Sequence, residues 1–132
     1  MAVNEAECVH QTSTTAVGLR HLAVAEAVLP DATPKPTSRS GQLEATLGVW
    51  QSASTGTGVW ECGPGEFTAD RSQQMEVCTV LSGSATVTGL GGDVARVGPG
   101  SLLVLPAGWQ GTWVIEETVR KTYVLIVAAA AT

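Results

Sequence analysis

The sequence predicts an all-β domain of the sandwich or barrel class. Short runs of β-branched and apolar residues recur from Gln42 onward, glycine-rich turns separate them at short and regular spacing, and no segment of helical period lies between them. The chain has 132 residues, 44% of them hydrophobic and 14% charged, which suits one domain with one core rather than a solvated disordered chain.

Residues 1–40 read as an N-terminal arm or linker and residues 41–132 as the single barrel domain. Residues 15–29 are Ala- and Leu-rich enough for a helical turn or two, a reading that Gly18 weakens. Pro30, Pro34 and Pro36 then exclude helix and central strand alike, because proline lacks the N–H both require. Leu43–Gln51 is the first strand, residues 54–58 (STGTG) a turn, 59–62 a second strand and 63–67 (GPGEF) a second turn. Segments 77–81 and 84–88 flank a turn at 82–83, and GLGGD at 89–93 is a hairpin tip. Val94–Val97, Leu102–Leu105, 112–115 and 121–127 complete the set, with a tight turn over 116–120.

Seven basic residues against twelve acidic ones give a net charge of −5. Nucleic acids and anionic membrane surfaces are therefore not expected partners, since both are bound through clustered Lys and Arg. Cys8, Cys62 and Cys78 form no CxxC pair and are too few for a disulfide scaffold. The first residues, MAVNEAECVHQ, lack the basic and apolar regions of a secretory leader, and the longest apolar run, 124–131, is far short of the roughly 20 residues of a membrane-spanning helix. A cytoplasmic protein with reduced thiols is expected.

Two stretches exceed generic β-sequence. In residues 63–87 (GPGEFTADRSQQMEVCTVLSGSATV), Glu76 is followed after six residues by Gly83. In residues 98–115 (GPGSLLVLPAGWQGTWVI), Gly100 is followed after five residues by Pro106-Ala107-Gly108. This spacing resembles the end of the first and the start of the second motif of the cupin superfamily. The texture is similar to that of small single-domain RmlC-like cupins of the ureidoglycine-aminohydrolase-like and ethanolamine-utilisation-like group, over about residues 40–127. The resemblance implies a double-stranded β-helix, the cupin jelly roll. It also implies a homodimer, with the N-terminal arm crossing to the second subunit to cover an exposed sheet edge.

In metal-binding members of the superfamily, two first-motif histidines, the Glu and a second-motif His point into the barrel. Here the first two slots fall on Ala69 and Arg71, or on Asp70 and Ser72, the last His slot on Gly111 and the Asn slot on Ile115. Only Glu76 remains, and one carboxylate cannot hold a divalent transition metal in fixed geometry. No metal and no other cofactor is expected. A less favoured alternative is a soft site of Glu76 and Cys78 with Asp70 or an arm histidine, His10 or His21; the blander reading makes Cys78 a small buried hydrophobe.

What remains is a barrel interior with one carboxylate and indole walls. Strand alternation places Glu76 and Cys78 on one face, and Gly111, Trp113 and Ile115 on another. The bare Gly111 is expected to open volume beside Glu76. Trp109 stands on the PAGW turn at the rim, Trp60 comes from an earlier strand, and Trp50 reads as core filler. Burial raises the pKa of Glu76 unless Arg71 pairs with it, and either a general acid/base or a structural ion pair results. Tyr123 and Lys121 share a face of the last strand. Lys121 is expected to pair with Glu117 on the surface, with a reach into the pocket mouth as the alternative. Glu61 is expected to face outward or to sit at a subunit interface.

The leading functional expectation is a metal-independent enzyme acting by acid/base chemistry on a small organic molecule. Isomerisation, elimination or cyclisation is its type, in a biosynthetic pathway, with Glu76 catalytic and Arg71, Cys78, Trp109, Trp113, Trp60 and Tyr123 binding substrate. The alternatives are a non-catalytic small-ligand-binding cupin and a metal enzyme with atypical ligands.

Overall fold

The computed structural model describes residues 17–128, and every regular element among them is a strand. The order is β1 (Thr33–Pro34), β2 (Leu43–Gln51), β3 (Thr55–Cys62), β4 (Gly65–Asp70), β5 (Gln74–Gly89), β6 (Val94–Val97), β7 (Leu102–Leu105) and β8 (Gln110–Val127). All pairings are antiparallel.

Two long strands organise the barrel. The first half of β5 pairs with β7 and the second half with β6. β8 pairs with β5 along both halves, and adds β4 beside its first half and β3 beside its second. One layer is therefore β1-β2-β3-β8-β5-β7, and the other is β4-β8-β5-β6, each long strand passing from one to the other. The layers meet across an aromatic contact: Trp60 of β3 lies edge-on to Phe67 of β4 and Trp113 of β8, with ring centroids 5.9 and 6.2 Å away. This is the all-β jelly roll that the sequence predicts.

The continuity of β5 and β8 corrects two expected turns. Residues 82–83 form no hairpin; β5 runs through them with register shifts from Val80 to Ala85 opposite β8. Gly83 takes a φ of +84°, and a Cβ there would strike the carbonyl of Thr118, so the crossing between layers needs glycine. Residues 116–120 likewise remain extended within β8. The GPGEF turn is shorter than expected, since β4 begins at Gly65, and β3 begins inside the expected 54–58 turn. The hairpin tip at 89–93 forms as expected.

No helix forms among residues 17–29; only a turn at 24–26 does. The described part of the arm lies on its own barrel. Thr33–Pro34 pairs with β2, Ser38 bridges to Phe67, and the Arg120 guanidinium donates to the carbonyls of Val24 (3.0 Å) and Ala27 (2.8 Å). Arg120 is further oriented by Glu61 at 3.0 Å, and Glu61 faces away from the barrel interior as expected.

Trp50 is not core filler. A register shift between Gly48 and Trp50 sets Trp50 opposite Thr57, on the face of β3 that alternates away from Trp60. It is only partly buried.

Candidate functional site

The inward positions of β2, β3, β4, β5 and β8 enclose a cavity of about 280 Å³. Glu76 of β5 and Lys121, Tyr123 and Leu125 of β8 line it, together with Trp60, Phe67 and Trp113. Arg71, from the β4–β5 turn, and the Lys35, Glu44 and Thr46 side chains complete the lining.

Glu76 is 2% exposed and Lys121 5% exposed, and the two touch: Lys121 Nζ donates to Glu76 Oε2 at 2.6 Å. Arg71 takes the other oxygen, with Nε at 3.1 Å and Nη2 at 2.8 Å from Oε1. Burial alone would push the Glu76 carboxyl up, but the Lys121 ammonium and Arg71 guanidinium outweigh it and hold the group below its ordinary range. The Arg71 pairing allowed for in the sequence is present and a second cation joins it, so Glu76 is an ionised base rather than a raised-pKa acid.

Lys121 Nζ also stands 4.4 Å from the ring centroids of both Trp60 and Trp113. Indole faces attract cations, so the two rings fix the ammonium where the carboxylate needs it. Lys121 does not pair with Glu117 on the surface. Because β8 continues without a turn, its alternation carries through from Trp113 and Ile115 to Lys121 and Tyr123, and the lysine points inward. A second ion pair stands in the lining: Lys35 Nζ meets Glu44 Oε1 at 3.0 Å, Trp60 Nε1 donates to the same oxygen at 2.8 Å, and Lys35 lies 4.6 Å from the Phe67 ring centroid.

The turn of the second motif positions Arg71. Its backbone N–H donates to the Trp109 carbonyl at 2.7 Å, and the Gly108 N–H donates to the Arg71 carbonyl at 2.8 Å. Gly108 has a φ of +97°, which favours glycine in this turn. Within the β4–β5 turn, Asp70 accepts from the Ser72 N–H at 2.8 Å. Trp109 itself is not a wall of the cavity: its Nε1 donates to Asp93 Oδ2 at 3.2 Å, near the 89–93 hairpin. Cys78 shares the face of Glu76 but is buried in the core rather than on the lining. Burial pushes its thiol up to about 11.

Of the residues singled out from sequence, Glu76, Arg71, Trp60, Trp113 and Tyr123 come together around the cavity, while Trp109 and Cys78 do not. Sequence reasoning undervalued Lys121 and missed Lys35, Glu44 and Phe67. The signal for Lys121 was its even spacing from Trp113 along one uninterrupted strand. For Lys35 none existed, since its place depends on the arm folding back against β2.

The donor set does not fit the metal that cupin resemblance implies. Both oxygens of Glu76 are taken by cations, and among the described residues no three of His, Cys, Asp and Glu converge. The second-motif histidine slot cannot accept a side chain either. A Cβ on Gly111 would meet the Thr88 carbonyl and the Trp109 ring, which also corrects the expectation that this glycine opens cavity volume. His21 is exposed on the arm, and His10 lies outside the described residues.

Residues 49–123, more than half of the chain, match the EutQ-like cupin domain family. The chain is an EutQ-like cupin. Its structure is similar to that of EutQ from Clostridium difficile, with a TM-score of 0.69 and 17% identity over 82% of this chain and 80% of that one. It is also similar to the cupin domain of Schizosaccharomyces pombe Cnp3, with a TM-score of 0.64 and 14% identity over 82% of this chain and 69% of the other. A DUF861-family protein of Pseudomonas syringae pv. tomato gives 0.63 and 16% over 84% of this cupin and 46% of that chain. At these identities the likeness shows the shared fold. A search of curated proteins finds no match. No helix of the described residues is long and apolar enough to cross a membrane.

Proposed function

We propose that this cupin is a cofactor-independent enzyme that moves a proton on a small organic molecule held in the 280 Å³ cavity. The 2.6 Å contact between the buried Glu76 carboxylate and the Lys121 ammonium carries the reading. A carboxylate kept ionised in a desolvated site accepts a proton from a C–H bond, and an adjacent ammonium donates one to the oxygen or carbon where charge develops. The net result is isomerisation, elimination or cyclisation with no change of oxidation state. Trp60, Trp113 and Tyr123 supply the aromatic part of the walls against which the molecule lies. The protein works in the cytoplasm, where buried free thiols such as Cys62 and Cys78 stay reduced.

The test is incubation of the protein with a small-molecule pool in deuterated water. Wild-type protein places deuterium on a specific compound, and Glu76→Gln does not. A pool compound that binds without acquiring label would instead favour the ligand-binding alternative, and label retained by Glu76→Gln would remove Glu76 from the chemistry.

The same reading includes a homodimer. The outer face of the β2-β3-β8-β5-β7 layer carries an uncharged row of Trp50, Thr57, Val124, Val77 and Val104 in register. Val104 and the adjoining Leu102 are 47% and 68% exposed. An uncharged row repels no copy of itself, so a second copy of this chain is its occupant. Sedimentation shows a dimer that Val104→Asp dissociates; a wild-type monomer, or a dimer indifferent to that substitution, removes the proposal.

A further inference from the structure

The cavity of an acidic protein is itself cationic. Three cations, Lys35, Arg71 and Lys121, face two carboxylates, Glu44 and Glu76, while the whole chain has a net charge of −5. Both carboxylates are already paired. Glu44 Oε1 accepts from Lys35 and Trp60, and Glu76 accepts from Lys121 and Arg71 on separate oxygens. The contacts of Arg71 with Glu76 use Nε and Nη2, so Nη1 takes no part in either. Lys35 Nζ has three donors, one of which goes to Glu44. The cations outnumber the carboxylates by one, and the Arg71 and Lys35 side chains, 21% and 17% exposed, stand where an entering anion reaches them.

From this charge balance we infer that the ligand of the cavity is a small organic monoanion, a carboxylate in class, whose anionic group seats against Arg71 and Lys35 while its apolar body lies along Trp60, Phe67 and Trp113. The inference deepens the proposed function by naming the substrate class of the same site. Phe67 and Trp113 are stacked at 15° with centroids 5.8 Å apart and Trp60 stands edge-on to both, so the wall is aromatic and suits an apolar, ring-shaped body. The guanidinium supplies the planar fork that matches a carboxylate, and it is already oriented by its bonds to Glu76 and by the backbone of the second-motif turn. The positive field also explains how Glu76 remains ionised at this depth.

Calorimetry on the full chain at low ionic strength tests the inference with three matched sets: benzoate, benzamide and benzylamine; their cyclohexyl counterparts; and indole-3-carboxylate with its amide and its aminomethyl analogue. The carboxylate binds at least tenfold more tightly than its amide and amine in at least one set. Arg71→Gln removes that preference, and Lys35→Met, which leaves the Glu76 cluster intact, weakens it several-fold, with circular dichroism confirming that both variants are folded. If Arg71→Gln fails to fold, the Lys35→Met result decides. Equal or tighter binding of amides or amines overturns the inference, as does no carboxylate binding in any set. So does chloride or phosphate that raises the melting temperature as much as the carboxylates do, which would mean that any anion suffices. Failure here with deuterium incorporation intact leaves the proton-transfer reading standing. Carboxylate binding with label retained by Glu76→Gln does the reverse.

Discussion

Lys121 Nζ lies 2.6 Å from Glu76 Oε2 while facing the rings of Trp60 and Trp113, each centroid 4.4 Å away. Neither residue is stable in that position alone. Taking an ion from water into a protein interior costs several kcal/mol, and here each charge is the other's main compensation. Arg71 makes the arrangement asymmetric, because it bonds Glu76 and not Lys121.

That asymmetry predicts unequal costs. Glu76→Gln leaves two cations facing a neutral amide and costs about 3–5 kcal/mol of unfolding free energy. Lys121→Met leaves Glu76 with Arg71 and fills the space between the indoles with a side chain of similar length, so it costs about 1–3 kcal/mol. The double variant costs less than the sum, because the second change removes a charge that the first has already stranded. Urea unfolding of the four proteins checks this. Equal single costs would mean that Arg71 does not share Glu76.

Acid stability follows from the same cluster. The Glu76 carboxyl is held below its ordinary value, since Lys121 and Arg71 outweigh its burial. The folded state therefore binds this proton less readily than the unfolded chain does. The resulting stabilisation is fully present above the unfolded value near 4.5 and is lost as pH falls through the lower folded value. Melting temperatures measured from pH 7 downward should begin to drop near pH 4.5, and the Glu76-dependent part of that drop should be absent in Glu76→Gln.

The two described cysteines behave oppositely. Burial pushes the thiols of Cys62 and Cys78 from 9.0 up to about 11. Between those values the unfolded chain loses protons that the folded chain keeps, so stability declines as pH rises through that window. At pH 8 both thiols are unreactive: native protein should show no modification at Cys62 or Cys78 by an aromatic disulfide reagent on the timescale at which urea-unfolded protein is fully labelled. Peptide mapping separates these two from Cys8. Rapid native labelling of Cys78 would place its sulfur on the cavity after all.

Much of the architecture was legible because glycine and proline mark where a chain must turn. The 89–93 tip, β6 and β7 follow directly from such positions. What was not legible was continuity. Gly83 looks like a hairpin glycine, yet its positive φ serves a bend inside β5, and the same bend opposite carries β8 through 116–120. That single misreading hid Lys121, since a turn there would have reset the alternation. Glu76 and Arg71 were legible through motif spacing, and the aromatic walls through the scarcity of other large residues. Trp109 misled because a rim position in sequence does not say which way an indole leans; it closes over Gly111, and Asp93 holds its N–H. Glu44 and Lys35 depend on pairing between β2 and the arm, a long-range contact that no local pattern encodes.

Arg120 fastens that arm. On the outer face of β8 it donates to the carbonyls of Val24 and Ala27 while Glu61 orients the guanidinium. On the same face of β3 as Glu61, Val59, which alternates away from Trp60, is fully buried. Hydrogen bonds from a charged donor to carbonyls contribute about 1.5–3 kcal/mol when partly buried. Arg120→Met retains the aliphatic packing but forfeits these bonds, so residues 17–32 should become the first site of limited proteolysis while the barrel stays intact. Lys35 is anchored further along, by the Thr33–Pro34 pairing with β2 and by Glu44. Its place in the cavity should therefore survive, and benzoate affinity should change less than threefold. Proteolysis no faster than in wild type would show that the β1–β2 pairing alone secures the arm; a large loss of affinity would show that Arg120 also sets the position of Lys35.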